Sequence, residues 1–362
     1  MPTNTDDLRI CDIKPLPAPV EIIHDFPRTD MASATVANSR RAVQRILSGS
    51  DDRLLVVIGP CSIHDPGAAL GYAHRLSRLR ARLGEDLEII MRVYFAKPRT
   101  TVGWKGLISD PDLDGSCRID EGLRIARKLL LDVNHLGLPA ASEFLDLISP
   151  QYLADLVAWG AIGARTTESQ PHRELVSGLS CPVGFKNGTD GRVKIAVDAM
   201  KAAAQPHHFL ALTKDGRSAV AATAGNKDCH VILRGGYAPN FDSESVEAAC
   251  AELQAAGCAP NVMIDASHAN SGYRPEQQPR VVDAVADQIE SGEERIIGVM
   301  IESNLVAGRQ DHAPGKPLAY GQSITDGCID WDTSVSVLER LAGAVQARRK
   351  ASQFDHLRLA MA

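Results

Sequence analysis

The feature that most constrains the fold is a regular alternation of short apolar runs and longer amphipathic stretches, which begins at residue 54. Most of the runs are continuously apolar, which is typical of strands that are covered on both faces. The stretches between them, such as residues 122–137 and 243–257, carry apolar residues at helical spacing. The eight runs occupy residues 54–59, 88–93, 138–142, 161–164, 182–185, 230–234, 261–265 and 296–301.

Eight strand–helix units in one chain of 362 residues predict an α/β fold, a (β/α)8 TIM barrel. A doubly wound open sheet is the alternative that the same pattern leaves open. A dinucleotide-binding protein is disfavoured, because no Gly-x-Gly-x-x-Gly follows the first run. Residues 208–225 interrupt the alternation with two short runs around Asp215-Gly216, which predicts a β-hairpin inserted before the sixth barrel strand.

The two ends of the chain differ from the alternating region. Prolines break up the sequence before a predicted helix over residues 31–48, and we interpret residues 1–50 as an arm and helix that make oligomer or effector contacts. A loose terminal tail is the alternative for the arm. We expect the catalytic barrel to span residues 51–350, with a last helix over residues 332–350 and a tail over residues 351–362.

The net charge and the cysteine content limit the kinds of binding partner and the cellular compartment that we expect. The net charge is −6 and the basic residues are scattered, so we expect neither a nucleic acid nor a membrane as a partner. No apolar run approaches the length of a membrane span, and the first ten residues contain no apolar signal core. The eight cysteines form no Cys-x-x-Cys pair, so we expect reduced thiols in a cytoplasmic protein.

Polar residues follow the apolar runs, where the chemistry of a TIM barrel is located. Two chemical groups can be distinguished among them. Five cations would repel one another on one face unless they surround an anion, and arginine forks suit phosphate and carboxylate oxygens. These cations are Arg92, Lys97, Arg165, Lys186 and Arg234. They predict a small ligand that carries both kinds of anionic group.

The second group combines a thiol, an imidazole and two carboxylates, which is a mixed ligand set suited to a divalent transition metal. Its members are Cys61, His268, Glu302 and Asp326. They lie far apart in the sequence and match no compact metal-binding motif. Only a barrel that gathers the strand ends would bring them together, so the metal prediction depends on the fold prediction.

Several long motifs, in order along the chain, resemble one enzyme family. They are IGPCSIHD (58–65), MRVYFAKPRTTVGWKGL (91–107), ARTTES (164–169), GFKNGTDG (184–191), ILRGG (232–236), DASHANS (265–271), IESN (301–304) and SITD (323–326). They resemble 3-deoxy-D-arabino-heptulosonate 7-phosphate (DAHP) synthases of the class I, type Iα microbial form, which lacks a fused mutase. The resemblance extends from about residue 5 to about residue 350.

The resemblance implies that phosphoenolpyruvate, D-erythrose 4-phosphate and water yield DAHP and phosphate, the first step of the shikimate pathway. It assigns phosphoenolpyruvate to Arg92, Lys97, Glu143, Ala164, Arg165, Lys186 and Arg234, and erythrose 4-phosphate to Lys97, Pro98, Arg99, Thr100 and Asp326. It makes Cys61, His268, Glu302 and Asp326 ligands of a divalent metal. We favour Mn²⁺, with Fe²⁺, Co²⁺ or Zn²⁺ as alternatives, because a thiolate suits these ions better than Mg²⁺. Lys97 is expected to protonate the new alkoxide, with Cys61, His268 and Asp326 as the other catalytic residues.

The resemblance also implies feedback inhibition by an aromatic amino acid in a homodimer or homotetramer. Phenylalanine is favoured, followed by tyrosine and then tryptophan. The residues assigned to the effector are Asp6, Asp7, Leu147, Gln151, Leu175, Leu179, Ser180, Phe209 and Ala221. Plain hydrophobic packing is the alternative for the leucines and Phe209. Two alternative functions remain: another metal-dependent, phosphate-binding aldolase barrel, and an inactive paralogue that only binds an amino acid.

Overall fold

The molecule is a closed, all-parallel barrel of eight strands, with a separate two-stranded hairpin. The computed structural model describes residues 3–99, 101–313 and 316–360, with side chains described up to residue 353. Its strands are β1 (Leu54–Gly59), β2 (Leu87–Arg92), β3 (Ala140–Glu143), β4 (Trp159–Ile162), β5 (Val183–Lys186), β6 (His208–Leu212), β7 (Ser218–Ala222), β8 (Cys229–Leu233), β9 (Val262–Asp265) and β10 (Ile296–Glu302). The predicted TIM barrel is confirmed, and the alternative of an open sheet is wrong, because β1 pairs with both β2 and β10.

Helices connect the barrel strands and cover the outside of the barrel. They are α1 (Pro19–Asp25), α2 (Asp30–Leu47), α3 (Pro66–Leu83), α4 (Ile119–His135), α5 (Pro150–Leu153), α6 (Gln170–Gly178), α7 (Lys194–Ala203), α8 (Ser243–Ala255), α9 (Gln278–Glu290) and α10 (Trp331–Ala360). Each barrel strand is buried almost throughout, which explains the unbroken apolar runs in the sequence. Each lies within two residues of its predicted bounds.

The inserted hairpin forms as predicted. Strands β6 and β7 pair antiparallel, with Leu210 opposite Val220, and Gly216 adopts the positive φ of 75° that the turn requires. Such a backbone conformation is readily available to glycine. Both strands are only half buried, because the hairpin lies outside the barrel sheet.

The N-terminal region packs onto the amino end of the barrel. Helix α2 agrees with the predicted helix over residues 31–48, and its side chains Val43 and Ile46 join the apolar cluster of the barrel interior. The carbonyl of Leu47 accepts a hydrogen bond from Asn261 Nδ2, just before β9 begins. Helix α1 was not predicted from the proline-rich segment. Pro19 occupies its first position, where a helix needs no N–H donor.

The C-terminal helix α10 continues to Ala360, ten residues past its predicted end at residue 350. Residues 351–360, which belong to the segment predicted as a tail, continue this helix in their backbone. Within the described residues, no helix is both long and apolar enough to cross a membrane. All eight cysteines are free thiols, as predicted.

Candidate active site

A cavity of about 280 Å³ opens at the carboxyl ends of the barrel strands. It brings together residues from six different strand ends, as the barrel prediction required. All five predicted cations line it, and so do Pro98, Arg99, Glu143, Ala164, His268 and Asp326. Thr100, predicted to contact erythrose 4-phosphate, lies outside the described residues. The predicted phosphoenolpyruvate residues therefore share one cavity with the described residues of the predicted sugar-phosphate motif.

Arg92 forms the floor of this site at the end of β2. Its guanidinium lies 3.6 Å from the ring centroid of Tyr94 and donates to Glu302 Oε1 at 2.9 Å. It also donates to the carbonyl oxygens of Pro60 and Cys61, each at 3.2 Å. Arg92 is only 1% exposed, so these contacts compensate a charge that has been removed from water. One residue thus positions both Glu302 and the loop that carries Cys61.

Gly59, the last residue of β1, lets the end of this strand approach Arg92 at the end of β2. Its register partner across β1 and β10 is Glu302. A Cβ atom at Gly59 would lie 2.7 Å from the carbonyl oxygen of Arg92, which is closer than real contacts of this kind. The small residue therefore permits the close packing that brings Cys61 beside Arg92.

Lys97 joins the anion site to the candidate metal site. Its Nζ lies 3.0 Å from Cys61 Sγ and 3.3 Å from Asp326 Oδ2. Burial alone lowers the pKa of this ammonium, but the neighbouring Cys61, Glu302 and Asp326 outweigh burial and raise it. Lys97 is therefore protonated at neutral pH and can donate a proton.

Three of the four predicted metal ligands form one group. Donor atoms of Cys61, Glu302 and Asp326 all lie within 4.8 Å of one another, whereas His268 falls outside that limit for at least one of them. His268 Nε2 is nevertheless 3.9 Å from Glu302 Oε1. Burial, with Glu302 nearby, raises the pKa of the Cys61 thiol to about 12. Such a thiol gives up its proton when a cation is bound, so the donor set fits a divalent transition ion.

Asp265 is a site residue that sequence reasoning left without a role. It is fully buried at the end of β9, where Oδ2 lies 2.8 Å from Lys186 Nζ and 2.9 Å from His268 Nδ1. Ser267 Oγ lies 2.8 Å from the same Nδ1. With Nδ1 engaged by these two side chains, the imidazole presents Nε2 toward Glu302, an arrangement typical of histidine ligands in metal sites. The signal was an aspartate at a strand end, three residues before a histidine that was itself predicted as a ligand.

Arg234 is held by an asparagine network that the sequence did not reveal. Its backbone N–H donates to Asn187 Oδ1 at 2.8 Å, and the next N–H, that of Gly235, donates to Asn240 Oδ1 at 2.7 Å. Arg234 is 6% exposed, and its Nη2 donates to the Tyr273 hydroxyl at 3.1 Å. Its Nη1 is buried and has no hydrogen-bond partner among the described residues. A buried donor of this kind favours an acceptor supplied by a ligand.

A second, larger cavity of about 1080 Å³ lies beside the hairpin. Seven of the nine predicted effector residues line it: Leu147, Gln151, Leu175, Leu179, Ser180, Phe209 and Ala221. Asp6 and Asp7 do not; they lie in the exposed N-terminal arm. The structure therefore gathers the predicted effector residues, apart from the two aspartates, into one surface opening.

A closed parallel barrel with a cluster of cations beside a thiol–carboxylate group defines a class of protein, the TIM-barrel enzymes that act on anionic substrates. The particular family follows from comparison with known proteins. Residues 31–339 match the model of the DAHP synthetase I family, and this chain belongs to that family.

Curated relatives and a solved structure are similar to this chain over almost its whole length. The chain is 62% identical over 344 residues to the Phe-sensitive phospho-2-dehydro-3-deoxyheptonate aldolase of Escherichia coli K12, covering 95% of this chain and 98% of that one. It is 54% identical over 344 residues to the Trp-sensitive enzyme of Buchnera aphidicola from Acyrthosiphon pisum, covering 95% and 99%. A solved structure of the Francisella tularensis aldolase superimposes with a TM-score of 0.92 at 54% identity, covering 94% and 99%. These relatives confirm the family and the enzyme class predicted from the sequence.

Proposed function

We propose that this chain condenses phosphoenolpyruvate with D-erythrose 4-phosphate and water, releasing DAHP and inorganic phosphate. The observation that carries the proposal is the cavity at the carboxyl end of the barrel, where Arg92, Lys97, Arg165, Lys186 and Arg234 converge. Within the described residues, Glu302 compensates Arg92 and Asp265 compensates Lys186. The buried Nη1 of Arg234 has no such acceptor, and a substrate phosphate would supply one.

Phosphoenolpyruvate fits this distribution of charge, because it carries a phosphate and a carboxylate on a three-carbon frame. Arg165 and Arg234 are assigned to the phosphate, where guanidinium forks can hold several oxygens at once. Arg92 and Lys186, deeper in the barrel, are assigned to the rest of the substrate. Fixed cations would hold the enol in one orientation for attack by C3 on an aldehyde carbon.

Erythrose 4-phosphate is assigned to the loop that follows β2. Arg99 Nε donates to the carbonyl of Trp104 at 2.8 Å, which fixes the loop across the mouth of the cavity. Lys97 lies at the base of the same loop and is protonated, so it is placed to protonate the alkoxide formed when C3 bonds to the aldehyde carbon. The attack leaves a positive charge at C2, and water adds there with loss of a proton. The resulting tetrahedral hemiketal phosphate releases inorganic phosphate by cleavage of its C–O bond.

A divalent metal is assigned to Cys61, His268, Glu302 and Asp326, with Mn²⁺ favoured. When bound, such an ion supplies Lewis acidity toward an aldehyde oxygen. Support comes from the donor chemistry of the group and from Asp265, which orients the His268 ring. Asp326 lines the substrate cavity as well, so it is also assigned a contact with the sugar hydroxyl.

The large cavity beside the hairpin is assigned to an aromatic amino acid, with phenylalanine favoured. Its lining combines apolar residues such as Leu175 and Phe209 with cationic groups such as Arg28 and Lys214. This combination suits an aromatic ring and a carboxylate. We assign the exposed arm that carries Asp6 and Asp7 to contacts with a second copy of the chain, as a homodimer or homotetramer. A cytoplasmic location is the expectation that accompanies the eight free thiols.

The test is a phosphate-release assay on protein stripped of metal. Phosphoenolpyruvate and erythrose 4-phosphate are supplied together and separately, with and without added Mn²⁺. The proposal expects phosphate only when both substrates and the ion are present, and it expects the Cys61→Ala variant to be inactive. Cys250→Ala is the matched control, because that thiol is buried in the core outside the site. A silent wild-type protein with Mn²⁺ restored would favour the inactive-paralogue alternative.

A further inference from the structure

The guanidinium of Arg234 is oriented by one side chain among the described residues, that of Tyr273. The Tyr273 hydroxyl accepts from Nη2 at 3.1 Å, and the guanidinium carbon lies 5.9 Å from the centroid of the tyrosine ring. Since a guanidinium is rigid and planar, fixing Nη2 also fixes the direction of the buried, unpartnered Nη1.

Tyr273 itself is held firmly although its ring is largely exposed. Its backbone N–H donates to the carbonyl of His268 at 2.7 Å, and both residues have positive φ values, 60° and 54°. Side chains seldom adopt this conformation, so it persists only where surrounding contacts impose it. The turn that carries the candidate metal ligand His268 therefore also sets the position of Tyr273.

The tyrosine ring separates two openings at the mouth of the barrel. It lines the 280 Å³ cavity that holds the five cations, and it also lines a neighbouring surface cavity of about 470 Å³. The hydroxyl is thus located at the edge of the anion site, where it contacts Nη2 of the guanidinium whose buried Nη1 has no partner among the described residues. Carboxylates hold Lys186 and Arg92 in position, whereas this neutral hydroxyl holds the guanidinium of Arg234.

We propose that Tyr273 is a positioning residue that acts through Arg234 on the affinity for phosphoenolpyruvate. The hydroxyl pre-orients the guanidinium without neutralising it, so the full positive charge stays available to the substrate phosphate. Without the hydroxyl, the arginine side chain must be ordered during binding, and that ordering costs affinity. The inference rests on the proposed function, because it takes the Arg234 ligand to be the phosphate group of phosphoenolpyruvate.

The experiment compares four proteins: wild type, Tyr273→Phe, Tyr237→Phe and Arg234→Ala. Phenylalanine keeps the ring and the same backbone demand, so Tyr273→Phe removes only the hydroxyl. Tyr237 is the matched control, because it lies in the neighbouring cavity, is 94% exposed and does not line the active cavity. Phosphoenolpyruvate binding is measured by calorimetry without erythrose 4-phosphate, and steady-state constants and inhibition by inorganic phosphate are measured with both substrates.

We expect Tyr273→Phe to weaken phosphoenolpyruvate binding by about 3- to 10-fold, the net contribution of one ordinary hydrogen bond. The KM for phosphoenolpyruvate and the inhibition constant of inorganic phosphate should rise by the same factor. The kcat, the KM for erythrose 4-phosphate and the melting temperature should stay as in the wild type. Tyr237→Phe should match the wild type throughout, and Arg234→Ala should lose more affinity than Tyr273→Phe.

Two results would overturn the inference while leaving the proposed function intact. One is a Tyr273→Phe variant that binds phosphoenolpyruvate as tightly as the wild type, while Arg234→Ala does not. The other is a uniform loss in kcat, in both KM values and in melting temperature, which indicates a merely structural role. A wild type that neither binds phosphoenolpyruvate nor releases phosphate would overturn the proposed function and the inference together.

Discussion

The carboxylate of Asp265 lies 2.8 Å from the ammonium of Lys186 and is completely buried. The same oxygen is 2.9 Å from Nδ1 of His268, so one carboxylate connects the anion site with the candidate metal site. Burial alone would raise the pKa of Asp265, but His268 and Lys186 outweigh it and hold the pKa well below its usual range. Asp265 is therefore ionised at neutral pH.

Replacing Asp265 by asparagine should weaken both sites at once. The amide keeps the shape but removes the charge that compensates Lys186 and orients His268. We expect Mn²⁺ affinity to fall by about 10- to 100-fold, the usual effect of removing a partner of a metal-binding histidine. Phosphoenolpyruvate affinity should change as well, because Lys186 loses its partner. Titration calorimetry with each ligand alone measures both effects.

Asp242→Asn is the control for that substitution. Asp242 caps helix α8 by accepting from Ser245 N at 2.9 Å, away from the active site, and asparagine caps helices equally well. Unchanged Mn²⁺ affinity in Asp265→Asn, or an equal loss in Asp242→Asn, would contradict the link between the two sites.

The buried pair of Arg92 and Glu302 should matter for stability apart from any role in binding. Both side chains are at most 2% exposed, and Arg92→Met leaves the Glu302 charge buried without its partner. We expect the free energy of unfolding to fall by about 3–5 kcal/mol. Denaturant titrations in the presence of a chelator measure it, so that no ion can replace the lost guanidinium.

Arg82→Met tests whether burial is the cause. Arg82 pairs with Glu339 at 2.6 Å, but both side chains are about half exposed. Water screens that pair, so we expect a loss of less than about 1 kcal/mol. Comparable losses in the two variants would show that burial is not the decisive difference.

Enlarging Ala221 should weaken feedback inhibition without changing uninhibited turnover. Ala221 lies on the hairpin and lines the large cavity, so leucine there would occupy space assigned to an aromatic ring. We expect the concentration of phenylalanine needed for half inhibition to rise by about 10-fold or more, since overpacking a site commonly costs 1–3 kcal/mol. Inhibition curves at fixed substrate concentrations measure the effect.

Val220→Leu is the matched substitution on the same strand. Val220 is 69% exposed and does not line the cavity, so its enlargement should leave inhibition unchanged. If both variants keep wild-type sensitivity to phenylalanine, tyrosine and tryptophan, the cavity is not the effector site.

Acid should destabilise the barrel through His230. Its imidazole is fully buried beside Trp159, with both nitrogens unpartnered among the described residues, and burial lowers its pKa from 6.5 to about 3. Above pH 6.5 the histidine is neutral in both folded and unfolded chains. Between pH 6.5 and about 3 the unfolded chain binds a proton that the folded chain excludes. The free energy of unfolding therefore decreases as the pH is lowered through this range.

The contribution of this one histidine amounts to at most about 1.4 kcal/mol per pH unit in that window. His230→Phe should reduce the pH dependence of unfolding between pH 6.5 and 4 while changing stability at pH 7 only modestly. Removing a buried polar group that has no partner costs little. A variant with the full acid sensitivity of the wild type would assign that sensitivity to other groups.

The barrel could be predicted because the pattern of apolar and polar residues in the sequence reflects which positions are buried. A strand covered on both faces must be apolar at every position, so runs such as residues 54–59 and 296–301 could be located within two residues. Local turn chemistry likewise predicted the hairpin around Asp215-Gly216. Helix α1 was missed, because prolines that usually break helices are tolerated at a first position.

The active-site predictions rested partly on strand ends and partly on family resemblance. The cations and the candidate ligands were predicted from the residue types that follow the apolar runs. In the structure, the barrel brings the cations, His268 and Asp326 together around one cavity. The roles of Asp265, Asn187 and Tyr273 were not predicted. Each acts through a contact with another residue that is distant in the sequence or is itself a site residue. A contact between residues 39 positions apart, such as Tyr273 with Arg234, leaves no pattern in the sequence.

By itself, then, the sequence determined the fold class, the order of the strands and the chemical types available at their ends. These properties depend on local burial and local backbone preference, which the residue types in each short segment of the sequence indicate. Only the tertiary structure decided which of those groups touch, which buried donors stay unpartnered and which charges compensate one another. Those outcomes depend on distances of a few ångströms between distant segments, and the closure of the barrel sets these distances.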